Sequence, residues 1–252
     1  MSRPDPYSWT VHPEATLAVA GLAVAYWLAV RGRPVERWRI AAFAGGCLLL
    51  LVTAVTPLEA LSYHLLTMHL LQNVVLAEWA PALLVLGIPP FLAERLTRRP
   101  AVRTLTWPPV ALGLWLLTYF AWHLPAAYDA ALEHPATLLH LEHACYLAAG
   151  TLLWWPVLQD LPHRLSNASR ALYLFLAFVL ASPIGLLLAL APDAAYDYYV
   201  EGDGLWGLSA HADQQIAGVT MSAEQAVVFF AVFAVFFFRF LRDEEALPAG
   251  TE

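Results

Sequence analysis

Seven long runs of apolar residues follow one another along the chain, and short polar connections separate them. A helix that crosses a bilayer needs about 20 mostly apolar residues, and each run approaches or exceeds that length. The pattern therefore predicts an all-α integral membrane protein, folded as one seven-transmembrane-helix bundle over residues 1–252. The expected spans are 15–30, 40–58, 64–86, 107–122, 135–158, 171–192 and 214–238.

Positive charge is distributed unevenly between the connections. Lysine is absent, and twelve of the thirteen arginines lie in 31–39, 94–103, 159–170 or the C-terminal tail, with Arg3 as the exception. Because connections rich in arginine stay in the cytoplasm, the N-terminus is expected outside and the C-terminus inside. No basic segment of a cleaved signal peptide precedes the first span, so we expect this span to be retained and to act as its own signal.

The composition excludes several classes of protein. Only 13% of the residues are charged, against about 25% in soluble domains, which indicates that the lipid bilayer surrounds the chain. The absence of lysine excludes a retinal Schiff base. A net charge of −7 gives no indication of a nucleic-acid partner. No nucleophile elbow, phosphate loop or zinc-protease helix is present, so we do not expect an enzyme.

Histidines collect at the end of the bundle that is expected to face outside. Eight of the nine lie there, and only His163 lies on the arginine-rich side. Imidazole and thioether groups suit copper, so this end is a candidate copper site. Each histidine taken alone could equally be an interfacial or hydrogen-bonded residue, and each methionine could be ordinary packing. The candidate metal ligands are His64, Met68, His69, His123, His140, His143, Asp213 and Met221.

Two carboxylates are expected deeper in the membrane, Glu78 in the third span and Glu224 in the seventh. Gln72 and Asn73 add polar atoms to the third span. Polar groups inside a membrane often mark a pathway for protons or ions. Hydrogen bonds between helices that only specify packing are an equally good explanation.

An ordered set of short motifs resembles the CtaG family of multi-spanning cytochrome c oxidase assembly factors. The resemblance covers most of the chain from the third span onward, and the specificity lies in the order of the motifs. They are His69–Gln72, Ala80–Gly87, Trp122–Pro125 with Tyr128–Asp129, Leu141–His143, Trp154–Val157, Ser182–Gly185, and Asp213–Gln215 with Ala217–Gly218 and Met221.

The resemblance implies a multi-pass protein of a bacterial or archaeal plasma membrane that matures a haem-copper oxidase. It also implies that the protein delivers copper to an oxidase subunit, which would be its partner. His69, His123, His143 and Asp213 take the positions that look functional in the family. One departure bears on the metal site: where the family commonly has a second histidine, four residues after the first, this chain has Asn73. Asparagine is a poor copper ligand.

Other functions remain open at the level of the sequence. A copper or other metal transporter would use the histidines as an entry site and the two deep carboxylates as a path. A haem-binding membrane subunit would use His69 or His143 as an axial ligand. A scaffold would use the polar cluster only to bind a partner.

Overall fold

The computed structural model describes residues 3–9, 12–202 and 204–246, and these residues form helices and connections without any strand. The single domain predicted over 1–252 extends beyond these ranges at both ends. Two five-residue π-helices, Val75–Trp79 and Pro135–Leu139, interrupt the α-helices. The described α-helices are α1 (Pro13–Val30), α2 (Arg37–Val55), α3 (Pro57–Ser62), α4 (Leu66–Val74), α5 (Ala80–Gly87), α6 (Pro90–Thr97), α7 (Pro100–Leu105), α8 (Pro108–Trp122), α9 (Pro125–Glu133), α10 (His140–Leu158), α11 (Asn167–Leu190), α12 (Asp197–Val200) and α13 (Ala210–Glu245).

Each predicted span corresponds to a helix or to a helix with a π-turn. Five helical segments are long and apolar enough to cross a membrane, and α8 with α9, which bend by 73°, are a sixth candidate. α10 is not among these candidates, and its first residues include His140, Glu142 and His143. The all-helical prediction is confirmed with five or six candidate spans, while the count of seven and the orientation of the termini stay predictions.

The third predicted span lies at the centre of the bundle. Its segment Leu66–Gly87 is the most buried of the candidate spans, and α1 is the least buried. The segment passes from α4 through the π-helix Val75–Trp79 into α5, where Pro81 follows. Because proline has no N–H to donate, the carbonyl of Ala77 loses its usual partner four residues on, and a wide turn accommodates this break.

Small residues allow the central helices to approach one another closely. A Cβ on Gly150 of α10 would lie 2.0 Å from the carbonyl oxygen of Ala77, inside the π-helix. A Cβ on Gly218 of α13 would lie 2.6 Å from the carbonyl oxygen of Gly185 in α11. Contact between backbones is how helices associate strongly in a bilayer, since lipid supplies no hydrophobic force between them.

We expect Gly150→Ala to destabilise the protein, because the added methyl group meets backbone that cannot move aside. Overpacking of this kind costs about 1–3 kcal/mol. Gly113→Ala in α8 is the matched control, since a Cβ there has nothing within 4 Å. Thermal unfolding in detergent should show a lower melting temperature for the first variant and no loss for the second. Equal melting temperatures would contradict the close approach of α10 to the π-helix.

Candidate functional site

Three histidines lie at the histidine-rich end of the bundle, of which His69 and His123 are buried and His143 is partly buried. His69 lies in α4, His143 in α10, and His123 is the residue that ends α8. The Nε2 atom of each ring is buried and has no hydrogen-bond partner among the described residues. Buried polar atoms are normally paired, because the loss of water is costly otherwise. Three unpaired imidazole nitrogens at one end of the molecule therefore identify a candidate binding site.

The hydrogen bonds of His69 determine which of its nitrogens carries the proton. The Tyr199 hydroxyl donates to the carbonyl oxygen of Ser62 over 2.7 Å. Burial raises the pKa of Tyr199, so the hydroxyl keeps its proton. Nδ1 of His69 lies 3.2 Å from the same hydroxyl oxygen, which can then only accept. Nδ1 is therefore the protonated nitrogen, and Nε2 of the neutral ring presents a lone pair.

His123 has the same arrangement with a different partner. Its Nδ1 lies 2.7 Å from the backbone carbonyl oxygen of Tyr119, which can only accept a proton. The neutral ring therefore also presents a lone pair on Nε2. Metal-binding histidines commonly donate their second N–H to a carbonyl, carboxylate or other oxygen, which holds the ring in its orientation. His69 and His123 both satisfy this condition.

A buried carboxylate lies beside His69. Glu142 Oε1 is 3.7 Å from Nε2 of His69 and accepts a hydrogen bond of 2.9 Å from the side-chain amide of Asn73. Its second oxygen has no described partner. Asn73, the position where a family histidine is replaced, thus holds the carboxylate next to the imidazole.

Two of the three imidazoles come together, and the third lies one ring away. The ring centroids of His69 and His143 are 6.4 Å apart. The Tyr128 ring lies 4.8 Å from the His69 ring and 6.2 Å from the His123 ring. The rings of His69 and His143 meet edge to face, at 87° to one another. His123 and His69 are instead linked through the tyrosine.

Asp213 does not face these imidazoles but caps α4 from the start of α13. Its carboxylate accepts from the backbone N–H of Leu66 over 2.5 Å and of Thr67 over 3.3 Å, and from the Thr67 hydroxyl over 2.7 Å. The first N–H groups of a helix lack partners within the helix, and a carboxylate is favourable there. Asp213, which was predicted as a metal ligand, thus holds the start of α4 against α13 in the structure.

The remaining predicted ligands are separated from one another. Nε2 of His64 lies 2.8 Å from the carbonyl oxygen of Pro4. The Met221 sulfur accepts from the Tyr119 hydroxyl over 3.5 Å. Met68 precedes His69 in α4, so the two side chains point about 100° apart around the helix. The predicted set of eight residues therefore does not form one coordination sphere.

His140 belongs to a different group, at the surface. Among the described residues, only one group of His, Cys, Asp or Glu side chains has three ligand atoms within 4.8 Å of one another. It consists of His12, Glu14 and His140. Glu14 Oε1 lies 3.3 Å from Nδ1 of His12 and 3.7 Å from Nε2 of His140. We call these three residues the surface triad.

A buried carboxylate supports the surface triad. Glu59 in α3 lies 3.4 Å from Nε2 of His12 through Oε1, and its Oε2 accepts from the Gln72 amide over 2.9 Å. Burial raises the pKa of the Glu59 carboxyl, and the nearby His12 and the amide of Gln72 partly oppose this effect. Sequence reasoning did not select Glu59, Glu14 or His12 as site residues. The only signal was the spacing of His12 and Glu14, two residues apart.

Deeper in the bundle, a polar chain begins at the Tyr119 hydroxyl. The Gln225 amide lies 3.3 Å from this hydroxyl and donates to Glu78 Oε1 over 2.9 Å. Glu224 accepts from the indole N–H of Trp79. The two carboxylates that the sequence placed at depth are thus both held by hydrogen bonds between α13 and the π-helix.

The connection between α11 and α13 covers His69 and His123. Tyr199 in α12 contacts His69, and the Tyr196 hydroxyl donates to the carbonyl oxygen of His123 over 3.1 Å. The Asp129 carboxylate of α9 accepts from the backbone N–H of Asp197 and Tyr198, each over 3.2 Å, and so holds α12 in place. This connection therefore shields His69 and His123 from water, whereas His143 lines a cavity of about 420 Å³.

Comparison with known proteins gave one match. Residues 20–243 match the family model described as cytochrome c oxidase caa3 assembly factor (Caa3_CtaG). A search of curated proteins and a search of solved structures each found no significant match. The matched range contains His69, His123, His143 and Asp213, and it begins after His12 and Glu14.

We expect Asp213→Ala to lower the free energy of unfolding by about 1–2 kcal/mol, because α4 loses its cap. Asp213→Asn keeps an acceptor oxygen and should lose less. Thermal unfolding in detergent measures the difference, and copper titration provides the control. Neither variant should change copper affinity by more than twofold; a large loss of affinity in a stable Asp213→Asn protein would show instead that Asp213 is a ligand.

Proposed function

Because the chain belongs to the Caa3_CtaG family of cytochrome c oxidase assembly factors, we propose that it matures a haem-copper oxidase by holding copper and passing it to an oxidase subunit. Membership of an assembly-factor family indicates a non-catalytic role. The proposal includes a plasma-membrane location, seven spans, and a histidine-rich end that faces outside. The arginine-rich connections support this orientation.

One observation carries the copper part of the proposal: the buried, unpaired Nε2 atoms of His69 and His143, on rings 6.4 Å apart. Neutral imidazole is a copper ligand, and copper binds more tightly than the other divalent first-row metals to such a site. The Tyr199 hydroxyl holds His69 in the tautomer that binding needs. Glu142 places a carboxyl oxygen 3.7 Å from Nε2 of the same ring.

The small number of ligands suits delivery rather than storage. Two imidazoles with one carboxylate nearby leave coordination positions open, so that a partner can add its own ligands before the first ones release the ion. Tyr199 and Tyr196 cover His69 and His123 and shield them from water. The same connection before α13 contains Gly204 and Gly207, both with positive φ. A partner subunit that displaces this connection would expose the ion.

A titration with Cu(I) against a competing chelator tests this proposal on the protein purified in detergent without a histidine tag. We expect His69→Ala and His143→Ala each to weaken binding by tenfold or more. Tyr199→Phe should weaken it by about tenfold, since it removes the acceptor of Nδ1–H and leaves the ligand itself in place. Circular dichroism should show unchanged helicity in all three variants.

The matched control is His163→Ala, because His163 is exposed and bonds to the carbonyl oxygen of Arg103 at the arginine-rich end. Its Cu(I) affinity should equal that of the unaltered protein. Unchanged affinity in folded His69→Ala and His143→Ala proteins would refute copper binding at this site. Oxidase activity in cells that carry each variant as the only copy then shows whether binding serves assembly. A Soret band in the purified protein would favour the haem-binding alternative.

A second candidate function, metal transport, is favoured by the polar chain that leads inward from His123. The ring of Tyr119 lies 4.7 Å from the His123 ring, and the chain continues through Gln225 to Glu78, whose Oε2 is buried without a described partner. Carboxylates are costly to place inside a membrane bundle, so those that are present often line a path for ions. The chain reaches from the histidine-rich end to the middle of α13.

Transport predicts copper flux into proteoliposomes, and Glu78→Gln should abolish that flux because an amide is a poorer ligand for the ion than a carboxylate. Glu94→Gln is the control, since Glu94 is exposed in α6 and pairs with Arg98. Flux is measured with a copper-sensitive dye enclosed in the vesicles. Absence of flux in the unaltered protein would exclude transport and leave the assembly proposal intact.

A further inference from the structure

The surface triad has the geometry of a metal site before any ion is added. Ligand atoms around one tetrahedral ion lie roughly 3.3 Å apart, given metal–ligand distances of about 2.0 Å. Glu14 Oε1 lies 3.3 Å from Nδ1 of His12 and 3.7 Å from Nε2 of His140. The carboxylate therefore stands between two imidazole nitrogens at nearly the spacing that a shared ion requires.

A second observation points to the same conclusion. The other nitrogen of His12, Nε2, faces the buried carboxylate of Glu59, which the Gln72 amide holds in turn. A carboxylate behind a histidine fixes the ring and makes the opposite nitrogen a better metal ligand. The chain from Gln72 through Glu59 to His12 thus leaves Nδ1 directed at Glu14.

Access and charge agree with capture of an ion from solvent. The side chains of Glu14 and His140 are 55% and 40% exposed, so no rearrangement is needed for an ion to reach them. Glu14 supplies one negative charge, and Glu59 supplies a second when it is ionised. Two imidazoles with one carboxylate suit divalent copper or zinc.

We infer that His12, Glu14 and His140 bind one divalent metal ion, with Glu59 as the residue that positions His12. None of these residues is a ligand of the buried copper site of the proposed function, although His143 lines the same cavity. Two of its three ligands also precede residue 20, where the family match begins.

Metal binding here connects α1 to the rest of the bundle. α1 is the least buried candidate span, and His12 and Glu14 lie at its start, whereas His140 begins α10. The triad borders a cavity of about 420 Å³ that Glu59, Gln72 and His143 also line. A bound ion therefore ties the first helix to the helix that carries His143.

The test uses Cu²⁺ added to the full-length protein in detergent, produced without a histidine tag, and electron paramagnetic resonance. We expect one equivalent of bound Cu²⁺ with hyperfine splitting from two imidazole nitrogens. His12→Ala and His140→Ala should each reduce the splitting to one nitrogen and weaken binding by tenfold or more. Glu59→Gln should keep both nitrogens and weaken binding by about tenfold.

His134→Ala is the matched control, because His134 is an exposed histidine near α10 that bonds only to the carbonyl oxygen of Ala130. Its spectrum and affinity should match those of the unaltered protein. Zn²⁺ should raise the melting temperature of the unaltered protein and of this control, but not of His140→Ala. A two-nitrogen spectrum that persists in both His12→Ala and His140→Ala would overturn the inference, as would an absence of bound Cu²⁺.

These experiments test the buried site and the surface triad separately. Loss of Cu(I) binding in His69→Ala with an unchanged Cu²⁺ spectrum supports both sites. An unchanged Cu(I) affinity in His69→Ala refutes the buried site and leaves the surface triad standing, whereas an unchanged Cu²⁺ spectrum in His140→Ala refutes only the surface triad.

Discussion

The cost of placing polar atoms away from water governs the whole bundle. Within a bilayer, backbone groups and buried side chains must find partners inside the protein, because lipid offers none. The structure meets this demand through contacts between helices, as when the Gln159 amide donates to the carbonyl oxygens of Val85 and Ile88 at the end of α5. Among the buried side-chain atoms that have no described partner, three are imidazole nitrogens at the histidine-rich end of the bundle, and these carry the functional argument.

The helical spans could be predicted from the sequence because the bilayer imposes a length on each apolar run. The predicted limits of 15–30 and 64–86 agree with Pro13–Val30 and Leu66–Gly87 to within two residues. The last span extends well beyond 214–238, since α13 runs over Ala210–Glu245. Its polar ends continue the helix into the regions outside the membrane, where hydropathy no longer marks the boundary.

The site was harder to predict because hydropathy gives the depth of a residue in the membrane but not the direction in which its side chain points. The rings of His69 and His143 lie 6.4 Å apart, since both residues lie near the same end of their helices. Asp213 lies at that end too, yet its carboxylate turns towards the first N–H groups of α4. The partners of His12 and Glu142 depend on which faces of α1, α4 and α10 meet. A single sequence does not contain that information.

The π-helix Val75–Trp79 shifts the helical register of the central span, so that the residues before it and within it face different neighbouring helices. Before it, His69 and Asn73 face Glu142 of α10; within it, Glu78 faces Gln225 of α13. An uninterrupted α-helix repeats every 3.6 residues and would have to match both partners with one register. The wide turn releases that requirement, so the ligand-bearing half of the span and the carboxylate-bearing half can each be aligned, and can each diverge, without disturbing the other.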